Sequence, residues 1–437
     1  YSVEYSANGG TTWTEFTHAN SSSTSLTVTG LTNGTSYVFR VAAINSVGTG
    51  TYSNTSSAVT PQTTPGQPTG LSGAAGDAQA SLNWVAPTVN GGRSITTYSV
   101  EYSANGGTTW TEFTHATSIA TSLSVTGLTN GTSYVFRVAA INSVGTGIYS
   151  ATSSAVIPRT TPGQPTGLSG AAGDEQAALS WVAPTDNGGR SITTYTIGYS
   201  SNGGTTWTEF AHAPSTATSL TVTGLTNGTS YVFRVAAINS VGTGTYSATS
   251  SAVIPRTTPG QPTGLSATAG DTQASLNWVA PTDNGGRSIT TYTVEYSSNG
   301  GTTWTAFTHA TDNTTSLTVT GLTNGTSYVF RVAAANSVGT GTYSATSSAV
   351  RPVGTLSISF GTRPVGVVLG EPAGTHSVSA VSAPANTGQI AFASATPSIC
   401  SVNSTSGALT ILAIGTCRIT ANNSGTAGYS AATQQTQ

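Results

Sequence analysis

The chain has no lysine, no methionine and only two cysteines in 437 residues. Charged residues make up 6% of it, against roughly 25% in ordinary soluble proteins. The formal net charge is −2, which gives no electrostatic basis for binding nucleic acid or an anionic membrane. Without lysine, Lys–Asn isopeptide cross-links are excluded. No apolar run approaches the roughly 18 residues needed to span a bilayer, so no membrane insertion is expected. No Ser/His/Asp constellation, metal-ligand spacing or phosphate loop occurs, so the expectation is a protein without catalysis, cofactor or metal. Hydrophobic residues are 36% of the chain, a low share, yet they are patterned in a way that disorder is not.

What is present is repetition. Trp13, Trp110, Trp207 and Trp304 sit in the same local sentence, each 97 residues from the next. A fixed period marks one small domain copied in tandem. The divisions expected are a partial copy at 1–61, full copies at 62–158, 159–255 and 256–352, and a non-repeating tail at 353–437. Tyr1 aligns with Tyr98, so the residues that open the other copies have no counterpart before it. The expectation is an excerpt of a longer protein, cut at both ends. The copies differ mainly at 19–23, 116–120, 213–217 and 310–314, a predicted loop.

Within the copy 62–158, Ala80, Leu82 and Trp84 alternate with polar residues, as do Tyr98, Val100 and Tyr102, then Leu123 and Val125. Tyr134, Phe136, Val138 and Ala140 form the longest stripe. A period of two marks half-buried strands, and β-branched and aromatic residues suit them. Turn signals fall between: Ala-Gly-Asp at 75–77, Asn-Gly-Gly at 90–92 and 105–107, Asn-Gly at 130–131, Gly-Thr-Gly at 145–147. About seven short strands per period fit a two-sheet sandwich. Between copies run Pro61-Gln-Thr-Thr-Pro65-Gly-Gln-Pro68 and its equivalents at 158–165 and 255–262. Their prolines favour extended backbone, so successive domains should stand end to end. A strand of about 8 residues covers about 27 Å. Each copy with its linker should then advance roughly 30–40 Å, and the array should reach on the order of 150 Å. The boundary Arg351-Pro-Val-Gly354 lacks this linker, so a different geometry is expected there.

These segments resemble fibronectin type III domains over residues 1–352. Leu128-Thr-Asn-Gly-Thr-Ser-Tyr134 followed by Val-Phe-Arg-Val-Ala-Ala-Ile-Asn142 is similar to their E–F corner and F strand. Pro165-Thr-Gly-Leu168 resembles the opening strand, Leu179-Ser-Trp181 the B strand and Tyr195-x-Ile197-x-Tyr199 the C strand. The resemblance implies an all-β chain of tandem immunoglobulin-like β-sandwiches arranged as an elongated rod. It implies core tryptophans at Trp84, Trp181 and Trp278, and tyrosine corners at Tyr134, Tyr231 and Tyr328. No Arg-Gly-Asp occurs, so the integrin-binding loop of some members has no counterpart.

Cys400 and Cys417, an even pair in a Lys-free, Ser/Thr-rich chain, point to an oxidising exterior; two buried free thiols are the alternative. The tail resembles bacterial immunoglobulin-like repeats through Ile390-Ala-Phe392, Thr396-Pro-Ser-Ile-Cys400-Ser-Val402, Gly415-Thr-Cys417-Arg-Ile419 and Gly425-x-x-Gly428-Tyr429. That resemblance implies that the two cysteines lie on neighbouring strands and bond.

Other features recur once per period and read as fold chemistry. Ser6-Ala-Asn8-Gly-Gly10-Thr-Thr12-Trp13 resembles the Asp-box hairpin of β-propellers, with Asn for Asp; a tight turn explains it. His18, His115, His212 and His309 stand a domain apart and cannot form a metal cluster. Asp186 and Asp283 precede Asn-Gly-Gly, but the equivalent residue is Val89, and one carboxylate is weak for calcium. Asn33, Asn130, Asn227 and Asn324 begin glycosylation sequons and also occupy turns. Trp13, Trp110, Trp207 and Trp304 could present a row of sugar-stacking platforms, or pack within their hairpins. The function expected is a non-catalytic spacer or stalk of an extracellular bacterial protein. The alternatives are an adhesin or carbohydrate-binding array, with a cell-surface polysaccharide or a protein as ligand, and a phage tail-fibre or virion-surface module. A monomeric rod is expected.

Overall fold

The computed structural model describes residues 1–385 and 388–437, and the described residues contain strands, turns and loops but no helix. In the copy 62–158 the strands are Thr69–Gly76, Gln79–Val85, Thr97–Ser103, Thr111–Glu112, Ser122–Thr126 and Val135–Ile141. They form two three-stranded antiparallel sheets. Gln79–Val85 is central in one, between Thr69–Gly76 and Ser122–Thr126. Thr97–Ser103 is central in the other, between Thr111–Glu112 and Val135–Ile141. The next two copies repeat this order.

The alternation explains the core. Ala80, Leu82 and Trp84 project from one sheet; Tyr98, Val100, Phe136, Val138 and Ala140 project from the other, and all are buried. Trp84 meets Tyr98 edge to face, ring centroids 5.1 Å apart, a geometry that aromatic quadrupoles favour. Equivalent clusters fill the following copies around Trp181 and Trp278. The facing sheet is what buries these side chains. Val138 is 0% exposed, whereas its equivalent Val41, in a copy that carries only the sheet of Ser2–Ser6, Thr14–Glu15 and Val38–Ala42, is 40% exposed.

The seventh strand expected per copy is not a regular one. After Val135–Ile141 the chain returns through Ser150-Ala-Thr-Ser153, where polar anchors recur every third residue, a spacing that does not match the two-residue pleat. Ser150 N donates to Val138 O at 2.8 Å and Ser153 N to Phe136 O at 2.9 Å. In return Val138 N and Phe136 N donate to the hydroxyls of Ser150 and Ser153, at 3.1 and 3.0 Å. Side-chain oxygens thus stand where strand carbonyls would be. Regular backbone pairing returns only at the bridge between Tyr134 and Val156.

The tail forms its own core from Ile358, Val378, Phe392, Cys400, Leu409, Ile419 and Ala421. Ile390–Ser394 pairs with Ile419–Asn423, and Cys400–Val402 with Leu409–Ile411. Cys400 and Cys417 are joined by a 2.11 Å S–S bond. Their placement departs from neighbouring strands. Cys400 begins a strand, but Cys417 lies in the loop before Ile419. That loop is held to the 395–399 turn instead: Leu412 N donates to Ile399 O, Arg418 N to the Thr396 hydroxyl, and Ala395 N to Arg418 O.

Ser153→Ala removes the acceptor for the buried Phe136 N–H. The expected cost is about 1–3 kcal/mol, read as a fall of several degrees in the melting transition of that copy by differential scanning calorimetry.

Candidate functional site: the joints between copies

With no metal-binding group of three or more His, Cys, Asp or Glu among the described residues, the built structure that recurs outside the cores is the joint between copies. Each linker is tied on both sides. Arg159 N donates back to Gly76 O at 2.9 Å. Thr160 N donates forward to Gly188 O, and Gly163 N to Asp186 O, at 2.9 and 2.8 Å. From the next copy, Asn239 Nδ2 reaches back to Thr160 O at 2.8 Å while also holding Asn187 O at 2.9 Å. Asn239 is almost wholly buried. Asn142 and Asn336 make the same pair of bonds at the other joints. The linker prolines Pro162 and Pro165 are buried. The linker is therefore strapped to both neighbours, beyond any stiffness its prolines supply.

The Asn-Gly-Gly loops receive the strap. Gly188 and Gly189 lie at φ +71° and +76°. A Cβ on Gly188 would collide with the Thr160 carbonyl, and one on Gly189 with the backbone of Asn130 and Gly131 in the preceding copy. The sequence reads these glycines only as a turn. The structure gives them a second task, admitting the backbone of a neighbouring domain.

Asn130 supplies the other half of the contact. Its Nδ2 donates to Asp77 Oδ1 and its Oδ1 accepts from Ala78 N, both at 2.9 Å. The adjoining Gly131 N donates to Pro158 O at 2.8 Å. Ala78 has φ +47°, a left-handed conformation that this bond helps to hold. Asn227 and Asn324 do the same for Glu175 and Thr272. The sequon asparagines Asn130, Asn227 and Asn324 are thus bonded into turns at the joint.

At the last joint the Pro-rich linker is absent and the geometry changes. Gly325 abuts Ala427 and Gly428 of the tail. Gly354 N donates to Gly428 O and accepts at its carbonyl from Ser430 N, both 3.0 Å. A short parallel bridge, Gly354 with Tyr429, takes the place of the strap.

The remaining singled-out residues fall elsewhere. Tyr134 OH accepts from Thr129 N at 3.1 Å, and Tyr231 and Tyr328 repeat the bond. In the Asn8 hairpin, Ser6 Oγ accepts from Gly10 N at 2.9 Å, and the Asn8 amide both accepts from Thr12 N and donates to the Thr12 hydroxyl. His18, His115, His212 and His309 are ring-stacked on Phe16, Phe113, Phe210 and Phe307, each with Nδ1 2.8 Å from a neighbouring carbonyl. Asp186 and Asp283 each accept from a glycine N–H of their own turns, Gly188 and Gly285.

Trp13, Trp110, Trp207 and Trp304 are half-buried, and one face of each is taken by an arginine. Arg137 Cζ stands 4.4 Å from the Trp110 ring centroid and 4.3 Å from that of Tyr149 on its other side. Its Nε and Nη2 both lie 2.6 Å from Glu101 Oε2. Arg40 and Arg331 are held likewise by Glu4 and Glu295. Sequence reasoning passed over these arginines, although a cation inside the apolar stripe of every copy, 97 residues apart, was a signal. Burial pushes the Tyr149 and Tyr343 hydroxyls above the usual tyrosine range, and the nearby carboxylates of Glu101 and Glu295 push further.

Two outcomes follow from these sites. Gly188→Ala and Gly189→Val should disrupt one joint while leaving the flanking cores folded, since a left-handed alanine costs about 1–2 kcal/mol and the added carbons meet backbone. Circular dichroism should stay unchanged while small-angle scattering shows a bend or swivel at that joint. A raised tyrosine pKa favours the neutral hydroxyl in the folded state. Stability contributed by Tyr149 and Tyr343 is therefore whole below about pH 10 and is lost as pH rises through the higher folded values. Urea midpoints measured across this range should fall, and less steeply in Tyr149→Phe.

The fibronectin type III domain model matches residues 1–59, 66–156, 163–253 and 260–350. Myomesin-2 of Homo sapiens is 31% identical over 271 residues, covering 60% of this chain and 18% of that protein. Exoglucanase B of Cellulomonas fimi is 32% identical over 253 residues, covering 54% of this chain and 22% of that protein. The chain thus spans about a fifth of these relatives. A solved structure of the chicken CNTN1 FN1–FN3 domains aligns with 66% of this chain and 99% of its own, at 21% identity and a TM-score of 0.29. Through four successive matches covering most of its length, the chain belongs to the fibronectin type III family.

Proposed function

We propose that this chain is a non-catalytic spacer, a stalk that holds apart or projects other domains of a larger extracellular bacterial protein. The observation that carries the reading is the strapped joint: the forward bonds from the linker, the bond to its first proline carbonyl and the asparagine clasp recur at 61–68, 158–165 and 255–262. A chain selected to bind through loops would be expected to vary them. Here the residues that recur serve cores, turns and joints. The similarity to part of Exoglucanase B of Cellulomonas fimi, 22% of which is covered, supports a role beside an acting domain. Among the described residues no helix is long and apolar enough to cross a membrane, and the disulfide in the tail suits an oxidising exterior. The tail, with its separate core and bonded cysteines, is read as a bacterial immunoglobulin-like domain continuing the rod.

Small-angle scattering of the purified chain should give a monomer with a maximum dimension on the order of 150 Å, from about 30–40 Å per copy. A compact globule would overturn the spacer reading. Binding on a glycan array that is lost in Trp207→Ala would favour the carbohydrate-binding array in its place.

A further inference from the structure

The copy 159–255 differs from its siblings at one telling position. Residues 4, 101 and 295 are glutamates, but the equivalent residue is Gly198. In the siblings that glutamate is the counter-ion of the stacked arginine. Around Glu101 three donors converge: Arg137 Nε and Nη2 on Oε2, each at 2.6 Å, and the Tyr149 hydroxyl on Oε1 at 2.8 Å. Those donors remain in the Gly198 copy. Arg234 is still clamped between Trp207 and Tyr246, its Cζ 4.4 and 4.1 Å from the two ring centroids. Yet Arg234 Nε is buried with no hydrogen-bond partner among the described residues.

No neighbouring carboxylate replaces the missing one. Gly198 pairs across the sheet with Glu209 on one side and Arg234 on the other. Glu209, however, accepts from the Thr196 hydroxyl at 2.5 Å. Where a Cβ of residue 198 would stand, Arg234 Nε is 3.2 Å away and Trp207 Cε3 3.4 Å. A side chain at 198 would need those atoms to give by only a few tenths of an ångström, so the guanidinium stands against the place the sibling glutamates fill.

From this we infer that the copy 159–255 carries a socket for a small external carboxylate, formed by Arg234 and Tyr246 over Gly198 and walled by Trp207. The sibling glutamates show what the socket accepts: a planar carboxylate taking the arginine fork on one oxygen and a tyrosine hydroxyl on the other. A charged, planar donor held rigid by two rings loses little freedom on binding. The site is partly open to solvent, since Arg137, its sibling counterpart, keeps 30% of its side-chain surface exposed even when paired. Affinity for a bare carboxylate should therefore be weak, in the millimolar range or above. A sugar acid could add contact with the exposed part of Trp207.

The test uses the full chain with sodium acetate and sodium glucuronate as probes at constant ionic strength, and glucose and chloride as controls. The readout is the Nε–Hε resonance of Arg234 in NMR spectra, assigned by its absence in Arg234→Lys. Saturable shifts with acetate support the socket as a carboxylate site. Shifts with glucuronate alone support it with the sugar as the source. Gly198→Glu should abolish the response, weakening binding at least tenfold, because it installs the sibling counter-ion. Glu101→Gly should create a second responding arginine, Arg137. Both variants copy a sibling sequence, so neither should impair folding, and far-ultraviolet circular dichroism checks this. No saturable shift with either probe, or a response that persists in Gly198→Glu, overturns the proposal.

Discussion

Backbone touching backbone across a glycine pair is the contact on which the architecture of the array depends. Each sandwich closes its own core and could stand alone. What turns a string of such units into a directed object is that the linker, the E–F turn before it and the Asn-Gly-Gly loop after it meet with glycine at the points of closest approach. Any Cβ at Gly91, Gly188 or Gly285 would meet a linker carbonyl. Most bonds at this contact join peptide groups and amide side chains, with single carboxylates such as Asp77 accepting from Asn130.

The parts legible in the sequence were those written by periodicity. Alternation at Ala80, Leu82 and Trp84, and at Phe136 and Val138, identifies strands and their buried faces because side-chain direction in a strand is local geometry. The corner role of Tyr134, Tyr231 and Tyr328 came instead from the resemblance to fibronectin type III domains, and their hydroxyls do bond at the turn. The joint was harder. Its bonds run between residues such as Asn239 and Thr160, 79 positions apart, and use backbone carbonyls that carry no sequence signal. The irregular return through Ser150 and Ser153 was also hidden, because a serine that replaces a carbonyl looks like a serine facing solvent. Cys417 was misplaced onto a strand since nothing local tells that Arg418 N bonds to Thr396.

Near-identity among copies makes their differences informative. Most variation falls in the loop that begins after His115 and its equivalents, where little packs. Gly198 is different in kind, because it removes one member of a four-residue cluster and leaves the other three in place. A charge cluster with one member deleted is costly unless the orphaned group finds another partner. Val89 against Asp186 and Asp283 shows the milder case: the carboxylates cap their own turn glycines, and valine does without.

Tandem copies also face a hazard that single domains escape, since neighbours of the same sequence sit at high local concentration while they fold. The serine-bonded return at 150–156 bears on this. A sheet edge ordinarily offers a row of free N–H and C=O groups to any strand of the right length. Here the last segment alternates backbone and hydroxyl partners at a three-residue rhythm, so its outward side has no continuous pleat. A strand approaching this edge meets no continuous ladder to pair with. The same serines that close each sandwich thereby make this one edge a poor template for a strand of the next.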